Sequence, residues 1–246
     1  MATPLVLTST RIFAGAADLT GNSNKVELST EVEEKDVTNF ASGGWKECRG
    51  GLASGAATAA GQWEAGDASK VDDETWADLG AVIPFSVFPV DANEGSLGYF
   101  LSSLRSQYTF FDAVGEVAPW SAKVASTWPV VRGQSLEAPG TARTTTGSGT
   151  AVQIGAVPAG KRMYAALHVL SVAGTGSPTL TVRVQSDTSG FPSATTQLTF
   201  TAATAIGGQI LRTAPGAITD DWWRADWTIS GTNPSFLFVV VAGISI

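Results

Sequence analysis

One stretch of the sequence nearly matches a nucleotide-binding loop. Gly155-Ala-Val-Pro-Ala-Gly-Lys-Arg162 has the glycine and lysine spacing with which G-x-x-x-x-G-K-[ST] loops cradle phosphates. Arg162 stands where a magnesium-binding hydroxyl is required, and residues 163–172 favour a strand over the helix whose N-terminus would hold phosphate. The segment is therefore predicted to be a turn that leads into a strand.

The chain offers few residues for nucleophilic or metal chemistry. His168 is the only histidine and Cys48 the only cysteine. His168 lies in an apolar run and no G-x-S-x-G motif supplies a serine, so we interpret it as a structural histidine. Asp72, Asp73 and Glu74 lack EF-hand spacing and suit the first turn of a helix, where the helix dipole favours carboxylates. No catalytic residue, metal site or cofactor is predicted, and we do not expect an enzyme.

Three tryptophans near the C-terminus could form a carbohydrate-binding surface, because aromatic rings stack on sugars. Alternation along a strand places Trp223 and Trp227 on one face, which we interpret as core. Trp222 lies on the other face beside Arg224 and is the candidate of the three for a surface ligand contact. Packing of Trp222 against a loop or a neighbour is the alternative.

The composition favours β structure. The 246 residues include 27 Gly and 11 Pro and are poor in the residues that fill helices, so an all-β chain is predicted. Hydrophobic residues make up 43% and charged residues 15%, which excludes a disordered chain. Every apolar run is far shorter than the roughly 20 residues of a membrane helix, so no membrane partner is expected.

The charge is uneven along the chain. Residues 1–140 hold 18 acidic and 9 basic side chains, whereas residues 141–246 hold 4 acidic and 6 basic ones. A net-negative surface repels nucleic-acid phosphates. Sequence-specific binding of DNA or RNA is therefore not expected of the first half.

The change of charge coincides with a stretch rich in Gly, Pro and Thr. Residues 139–150 have no apolar periodicity and are predicted to link a domain at 1–138 to a domain at 151–246. The second domain is predicted to be a β-sandwich of jelly-roll or Ig-like type. Its strands are expected at 163–172, 179–185, 197–201, 223–229 and 236–244. Both faces of the last strand are apolar, which predicts a central position.

The first half is predicted to contain strands and one short helix. The helix is expected at 72–79, with acids in its first turn and Gly80 after its end. Strands are expected at 5–13, 25–33, 53–64, 84–90 and 99–131.

Strict alternation marks residues 25–33 as a half-buried strand with an acidic face. The apolar face, which we expect to pack inside the subunit, is formed by Val26, Leu28 and Val32. The acidic face carries Glu27, Glu31 and Glu33. The connection that follows, residues 34–52, is too long for a tight hairpin and contains Phe40 and Trp45, which is typical of an interaction loop.

The order of these features resembles the tail tube proteins of siphophages, the long-tailed bacteriophages. Lys35-Asp-Val-Thr-Asn-Phe40, Ser42-Gly-Gly-Trp-Lys-Glu47 and Gly50-Gly-Leu52 carry the resemblance, between the alternating strand and a small-residue strand that ends at Trp63. The second half is similar to domains appended to tail proteins of phages that infect actinobacteria. The segments that carry this second resemblance are Ala159-Gly-Lys-Arg-Met-Tyr-Ala-Ala-Leu-His-Val169, Thr181-Val-Arg-Val-Gln-Ser-Asp187, Ile218-Thr-Asp-Asp-Trp-Trp-Arg224 and Pro234-Ser-Phe-Leu-Phe-Val239.

The resemblance implies a structural virion protein, the major tail tube subunit, made in the cytoplasm of the host bacterium and located in the virion tail. It implies stacked hexameric rings around a channel through which DNA passes without specific binding. The expected partners are further copies of the chain and tail proteins such as the tape measure and the tail terminator.

The same resemblance assigns roles to particular residues. Phe40 and Trp45 would anchor contacts between rings. The second domain would project from the tube exterior. An acidic lining would repel DNA, and the candidates to face the lumen are Glu27, Glu31 and Glu33.

Two other functions stay open at this point. One is another virion component, such as a minor tail, baseplate or capsid-decoration protein. The other is a carbohydrate-binding adhesin module that uses Trp222. Growth into a filament would favour the tube, and a monomer with affinity for glycans would favour the adhesin.

Overall fold

The computed structural model describes residues 5–66 and 70–246, which form an all-β chain with one α-helix among them, as predicted. The strands of the first half are β1 (Arg11–Ala14), β2 (Ala17–Asp18), β3 (Ser23–Asp36), β4 (Cys48–Gln62), β5 (Val82–Phe88), β6 (Leu97–Phe110), β7 (Pro119–Ser126) and β8 (Val131–Glu137). The strands of the second half are β9 (Gly147–Ser148), β10 (Val152–Gln153), β11 (Arg162–Asp187), β12 (Thr195–Thr199), β13 (Gly207–Arg212) and β14 (Trp222–Ser245). The helix is α1 (Val71–Ala77), and a 3-10 turn spans Thr20–Asn22.

The first half is a curved antiparallel sheet in the order β3-β4-β7-β6-β5-β1. Ile12 in β1 and Ala59 in β4 lie near opposite ends of this order, yet they share one core, so the sheet must curve back toward itself. Val71 of α1 packs into the same core. The small side chains of Ala57 and Ala59 leave room for Trp120, which is fully buried.

The second half is built from one long ribbon that folds over on itself. β11 and β14 pair from Arg162↔Ser245 to Asp187↔Trp222. The ribbon bends where Gly174 in β11 (φ +123°) and Gly231 in β14 (φ +116°) adopt backbone conformations that favour glycine. One core joins residues from both sides of the bend, namely Leu167, Val182, Trp223 and Phe238.

The folded ribbon corrects one prediction and confirms another. Residues 163–172 and 179–185, expected as separate strands, are one continuous bent strand, and so are 223–229 and 236–244. A bend in a ribbon uses the same Gly, Pro and Asn residues as a chain reversal, so the two look alike in sequence. The last stretch of β14 is central as predicted, because it pairs with both β11 and β8.

Strand β8 connects the two halves. It pairs with β6 on one side and with β14 on the other. Gly133 and Gly243 pair in register there, and a Cβ atom on Gly133 would lie 2.0 Å from the Ala242 carbonyl oxygen. A third core fills the space between the halves and contains Phe13, Phe88, Phe100, Tyr164, Val239 and Val241.

The segment predicted as a linker runs along β14. β9 pairs with β14, and the Thr145 carbonyl accepts a hydrogen bond of 3.0 Å from the Trp227 indole. Arg143 donates to the fully buried carboxylate of Glu137 at 2.6 Å. Desolvation raises the pKa of Glu137, and the arginine opposes that rise. The division of the chain into two domains, joined by a linker at 139–150, stays a prediction.

Elements of the first half differ from expectation in two places. The strand predicted at 5–13 begins only at Arg11, and the apolar side chains of residues 5–7 are exposed. The stretch 99–131 contains β6, β7 and the start of β8, with an exposed turn at 111–118. The helix agrees with its prediction to within two residues at its end.

Candidate assembly surfaces

A hairpin projects from one end of the first half, and we call residues 30–55 the arm. β4 pairs with β7 only from Ala56 to Gln62, whereas its pairing with β3 continues to Cys48. From Thr30 to Asp36, β3 therefore has β4 as its neighbour and extends about 20 Å at a rise of ~3.3 Å per residue. Every residue of the arm is at least partly exposed, and nearly all are fully so.

The arm corrects the predicted loop at 34–52. Both strands extend into that range, with Lys35 opposite Arg49 and Asp36 opposite Cys48, so the loop itself spans only 37–47. Alternation between apolar and polar residues marks a strand with one buried face. Beyond Glu33 both faces of the arm meet solvent, and residues 34–36 and 48–52 carry no such alternation.

Local hydrogen bonds shape the tip of the arm, residues 37–47. The Asp36 carboxylate accepts from the Thr38 amide at 2.9 Å, and the pKa of Asp36 is lowered first by the Thr38 hydroxyl and then by this amide. The Asn39 side chain accepts from the Ala41 amide at 2.8 Å. Gly43 and Gly44 have φ of +63° and +86°, which turns the chain back toward β4.

The tip exposes the two aromatic residues singled out from sequence. Phe40 is 110% exposed and Trp45 is 82% exposed. Neither ring has an aromatic partner among the described residues. Two large apolar side chains at the end of a projection are typical of a surface that another protein covers. A role for Phe40 and Trp45 in contacts between stacked rings of subunits stays a prediction.

The outer face of β3 carries the predicted acidic residues. Glu27 lies opposite Thr58 and Glu31 opposite Ser54, so both point away from the core on which Leu28 packs. A bulge between Val32 and Glu34 interrupts the alternation at Glu33. Lumen exposure of these three glutamates stays a prediction.

Basic residues reduce the acidity of this face. Lys25 pairs with Glu27 at 3.6 Å, and Lys35 pairs with Glu33. Lys123 in β7 lies opposite Thr58 and so shares the face of Glu27. These lysines therefore offset part of the negative charge that the glutamates give to this face.

The predicted burial of Val32 is wrong. Val26 and Leu28 pack against the first core, but Val32 is 59% exposed. Val32 lies within the arm, beyond the last residues that β4 pairs with β7, where the first core no longer covers it. The alternation of the strand continues past the point where the core ends.

A second exposed apolar surface lies at the opposite end of the first-half sheet. We call it the aromatic end: Trp76, Phe111, Val114 and Val117 are exposed there, and the half-buried rings of Trp63 and Phe110 join them to the first core. Ring centroids lie 5.0 Å apart for Trp63 and Phe111 and 4.7 Å apart for Phe110 and Phe111. Trp76 is 61% and Val114 104% exposed. Composition over residues 99–131 favours strands, so the exposed turn at 111–118, and with it this surface, has no signal in the sequence.

The Asp72 carboxylate holds the base of the aromatic end in place. Asp72 in the first turn of α1 accepts hydrogen bonds from the Trp63 indole at 3.0 Å and from the Tyr108 hydroxyl at 2.8 Å. Burial and this bond raise the pKa of Tyr108, so the phenol stays a donor. Asp73 and Glu74 follow Asp72 in α1, Asp112 and Glu116 lie in the exposed turn, and Glu64 next to Trp63 pairs with Lys70 at 2.8 Å.

The three C-terminal tryptophans are arranged as alternation predicts. Trp223 and Trp227 are buried in the second core, whereas Trp222 is half-buried on the other face. Arg224 shares that face and stacks its guanidinium on Phe191 at 4.4 Å from the ring centroid. Trp222 as a ligand contact stays a prediction.

The nucleotide-loop match and the histidine have structural roles. Residues 155–161 lead into β11, which starts at Arg162, and the Gly155 carbonyl accepts from the Trp223 indole at 2.9 Å. His168 is fully buried between the halves, 2.7 Å from the Ser86 hydroxyl and 2.9 Å from the Gly15 carbonyl. Burial lowers the pKa of His168 to about 4, so the ring is neutral at pH 7.

Searches for two other kinds of feature were negative within residues 5–66 and 70–246. No group of three or more His, Cys, Asp or Glu residues is arranged to hold a metal ion. Over the same part of the chain, no helix is long and apolar enough to cross a membrane.

The chain was compared with known proteins. No protein-family model matches it, and no curated protein sequence does. The tail of an empty gene transfer agent particle with C6 symmetry is 22% identical, covers 48% of this chain and 92% of its own, and has a TM-score of 0.38. The SPP1 tail tube is 11% identical over 52% of this chain and 78% of its own, with a TM-score of 0.41. The SPP1 Dit hub protein is 10% identical over 97% and 100%, with a TM-score of 0.34.

Proposed function

We propose that this chain is a structural protein of a bacteriophage tail, the major tail tube subunit, which stacks as hexameric rings around a channel for DNA. The arm is the observation that carries the proposal. A two-stranded ribbon is marginally stable in water on its own, and this one exposes Phe40 and Trp45 at its tip. The surface that would cover the arm is another copy of the chain.

The free edge of the first-half sheet supports assembly side by side. Among the described strands, β3 pairs only with β4, so its other edge presents unpaired backbone groups over Ser23–Asp36. Such an edge is a template for pairing with another chain. A closed ring of copies removes the free edge from every subunit.

The face that carries Glu27 and Glu31 suits the lining of a channel for DNA. Its neighbours across β4 are the short side chains of Ser54, Ala56 and Thr58, which leave space. Carboxylates repel phosphates, and ion pairs with Lys25 and Lys35 limit the binding that free lysines would give. In this arrangement Glu33 also faces the lumen, and DNA passes without being held.

The proposed tube also assigns a position to the second half, partners to the chain and a place of function. The second half lies on the exterior, and the partners at the tube's inside and end are the tape measure and the tail terminator. The place of function is the virion tail, after synthesis in the host cytoplasm. Catalysis plays no part in this function.

Negative-stain electron microscopy tests the proposal, on purified protein over a range of concentrations with light scattering alongside. We expect hollow filaments or stacked rings with a central channel. Replacing residues 37–47 by Asn-Gly, a sequence that closes hairpins tightly, should leave a folded subunit that forms no filaments.

Other results would contradict the tube. Filaments from the shortened variant would show that assembly does not need the tip of the arm. A single closed ring or a trimer from the full chain would favour a minor tail, baseplate or decoration protein. A monomer at every concentration, with glycan binding that Trp222→Ala abolishes, would favour an adhesin module.

A further inference from the structure

We propose that Glu94 and Glu137 share a single proton, and that this proton holds residues 139–150, called the strap from here on, against the second half of the chain. The inference goes beyond the proposed function and does not depend on assembly. It assigns a role to two carboxyl groups that meet inside the subunit, where two ionised acids would repel each other.

The strap is fastened to the second half near its start and at its end. Arg143 exchanges backbone hydrogen bonds of 2.7 and 2.9 Å with Phe236, and the Gly149 amide donates to the Ala225 carbonyl at 2.9 Å. The Arg143 guanidinium also lies over the Trp227 ring, 5.0 Å from its centroid. These contacts reach β14 on both sides of its bend, so the strap covers part of the folded ribbon.

Glu137 is buried beside the strap. It is the last residue of β8 and is fully buried, and its Oε1 atom accepts the 2.6 Å bond from Arg143. Its Oε2 atom is closed off from solvent and has no hydrogen-bond donor among the described residues. A buried carboxylate oxygen without a donor is strongly unfavourable, and a proton at this edge of the carboxyl group removes the penalty.

Glu94 supplies the partner for that proton. It lies half-buried in the turn between β5 and β6. A Cβ atom built on Gly149 would lie 3.2 Å from Glu94 Oε1 and 3.3 Å from Glu137 Oε2, so the two oxygens converge on one point of the strap. The two side chains are also within hydrogen-bonding distance of each other. Two carboxyl groups form a hydrogen bond only when one of them carries a proton, which then belongs to the pair.

The charged groups around the pair leave one negative charge without a counterpart. Burial raises the pKa of Glu137, Arg143 lowers it, and Glu94 raises it further. Asp91 in the same turn as Glu94 accepts hydrogen bonds from within that turn. Within the described part of the chain, Arg143 is the one cation paired with Glu137. A single guanidinium balances one carboxylate, so the second carboxyl group is neutral in the closed strap.

Loss of the proton opens the strap. At higher pH both carboxyl groups are ionised, and two negative charges then face a single guanidinium. Glu94 also accepts from the Thr150 amide at 3.3 Å, so an outward movement of Glu94 takes the end of the strap with it. Mild acid therefore closes the strap, and alkaline solution loosens it.

Hydrogen exchange read by mass spectrometry tests the shared proton in the full chain. Glu94→Gln replaces the carboxyl group by an amide whose N–H donates to Glu137 at every pH, so this variant mimics the protonated pair. Peptides that cover the strap should exchange equally in wild type and variant at about pH 5, and at least about threefold faster in wild type at about pH 8. Comparison at one pH removes the intrinsic pH dependence of exchange.

Glu116→Gln is the matched control, since it removes a carboxyl group from the exposed turn at 111–118. Its strap should exchange as in wild type at both pH values. Equal exchange in wild type and Glu94→Gln at about pH 8 would overturn the inference. Faster exchange in Glu94→Gln at both pH values would also overturn it, because Glu94 would then hold the Thr150 amide as an ordinary ionised acceptor.

Urea unfolding gives an independent test. The folded pair holds its proton more tightly than the unfolded chain, in which the pKa of Glu137 has its ordinary value of 4.5. The free energy of unfolding of wild type should therefore fall, relative to Glu94→Gln, as the pH rises above 4.5. Parallel curves would contradict a shared proton. Slower exchange of the strap with calcium, in wild type but not in Glu94→Gln, would show that a metal ion joins the two carboxyl groups in place of the proton.

Discussion

The ribbons β3–β4 and β11–β14 are both long, and they differ in what covers their faces. One face of the β11–β14 ribbon lies in the second core. On the side of the bend where Arg162 pairs with Ser245, the other face lies in the core between the halves. In the arm, both faces of the β3–β4 ribbon meet solvent. The folded ribbon supplies its own second layer because it bends back over itself, whereas the arm has no second layer within the described residues of its own chain.

Side-chain size explains the difference. β14 carries Trp223, Trp227, Phe236 and Phe238 on its core face, whereas β4 within the arm has Leu52 as its one large apolar side chain beside Cys48, Arg49 and Gly, Ala and Ser residues. Burial of large apolar groups is what pays for ordering a ribbon. Length alone therefore does not decide whether a ribbon belongs to the core or to an interface.

The largest effect is expected from truncating the folded ribbon. Trp223→Ala should lower the free energy of unfolding by about 3–5 kcal/mol, because it empties a fully buried site and leaves the Gly155 carbonyl without its donor. Urea unfolding of unassembled protein measures the change. A loss below about 1 kcal/mol would show that the ribbon is not the core of the second half.

Acid should weaken the contact between the folded ribbon and the first half. The pKa of His168 is lowered from 6.5 to about 4 in the folded protein, so the unfolded chain binds the proton first as pH falls. Stability is full above pH 6.5 and is lost as pH drops toward 4, by about 3 kcal/mol at 1.36 kcal/mol per pKa unit.

Unfolding free energies between pH 7 and 4 measure this dependence against His168→Asn. The difference between the two proteins isolates the histidine from the carboxyl groups that titrate in the same range. Parallel curves would contradict a buried neutral imidazole.

The bend itself can be tested at one glycine. Gly231 has φ +116°, and a Cβ atom there would lie 2.7 Å from the Cα atom of Pro178. Gly231→Ala should destabilise by about 1–3 kcal/mol, as expected for a residue forced into a rare backbone conformation. Gly207→Ala, at a glycine with open space around it, is the control in thermal unfolding. Equal melting temperatures for the two variants would argue against a strained bend.

The smallest effect on folding is expected at the tip of the arm. Trp45→Ala should change the free energy of unfolding by less than about 0.5 kcal/mol, because the ring is 82% exposed. The same change should suppress filaments, as judged by electron microscopy at matched concentration. A clear loss of monomer stability in Trp45→Ala would show that the arm packs on its own subunit. The two ribbons would then not differ in what covers their faces.

Hydrophobic periodicity predicts the strands that have one solvent-exposed face and one buried face. Strand 25–33 lies within β3, and the separation of Trp222 from Trp223 and Trp227 is as expected. Acids in the first turn also placed α1 correctly. These signals are local, so the chain displays them without knowledge of the fold.

Tertiary pairing decides the features that were missed. Whether Gly174 and Gly231 reverse the chain or only bend it depends on the partner strand. β13 was not predicted, and its Gly208 is required because a Cβ atom would lie 2.6 Å from Pro84 of the other half. The aromatic end assembles from α1, the end of β4 and the turn after β6, which no window of sequence contains together.

Strand β8 has a mechanical consequence. The sheet runs without interruption from β12 through β14 and β8 to β6, and the hydrogen bonds of β8 with β14 lie across the strand direction. A pull on the second half along the strands loads these bonds together, so they must shear at once, which resists force far better than peeling them one by one. A pull on the second half is thereby transmitted directly to the first-half sheet, and the two halves respond to force as one stiff unit.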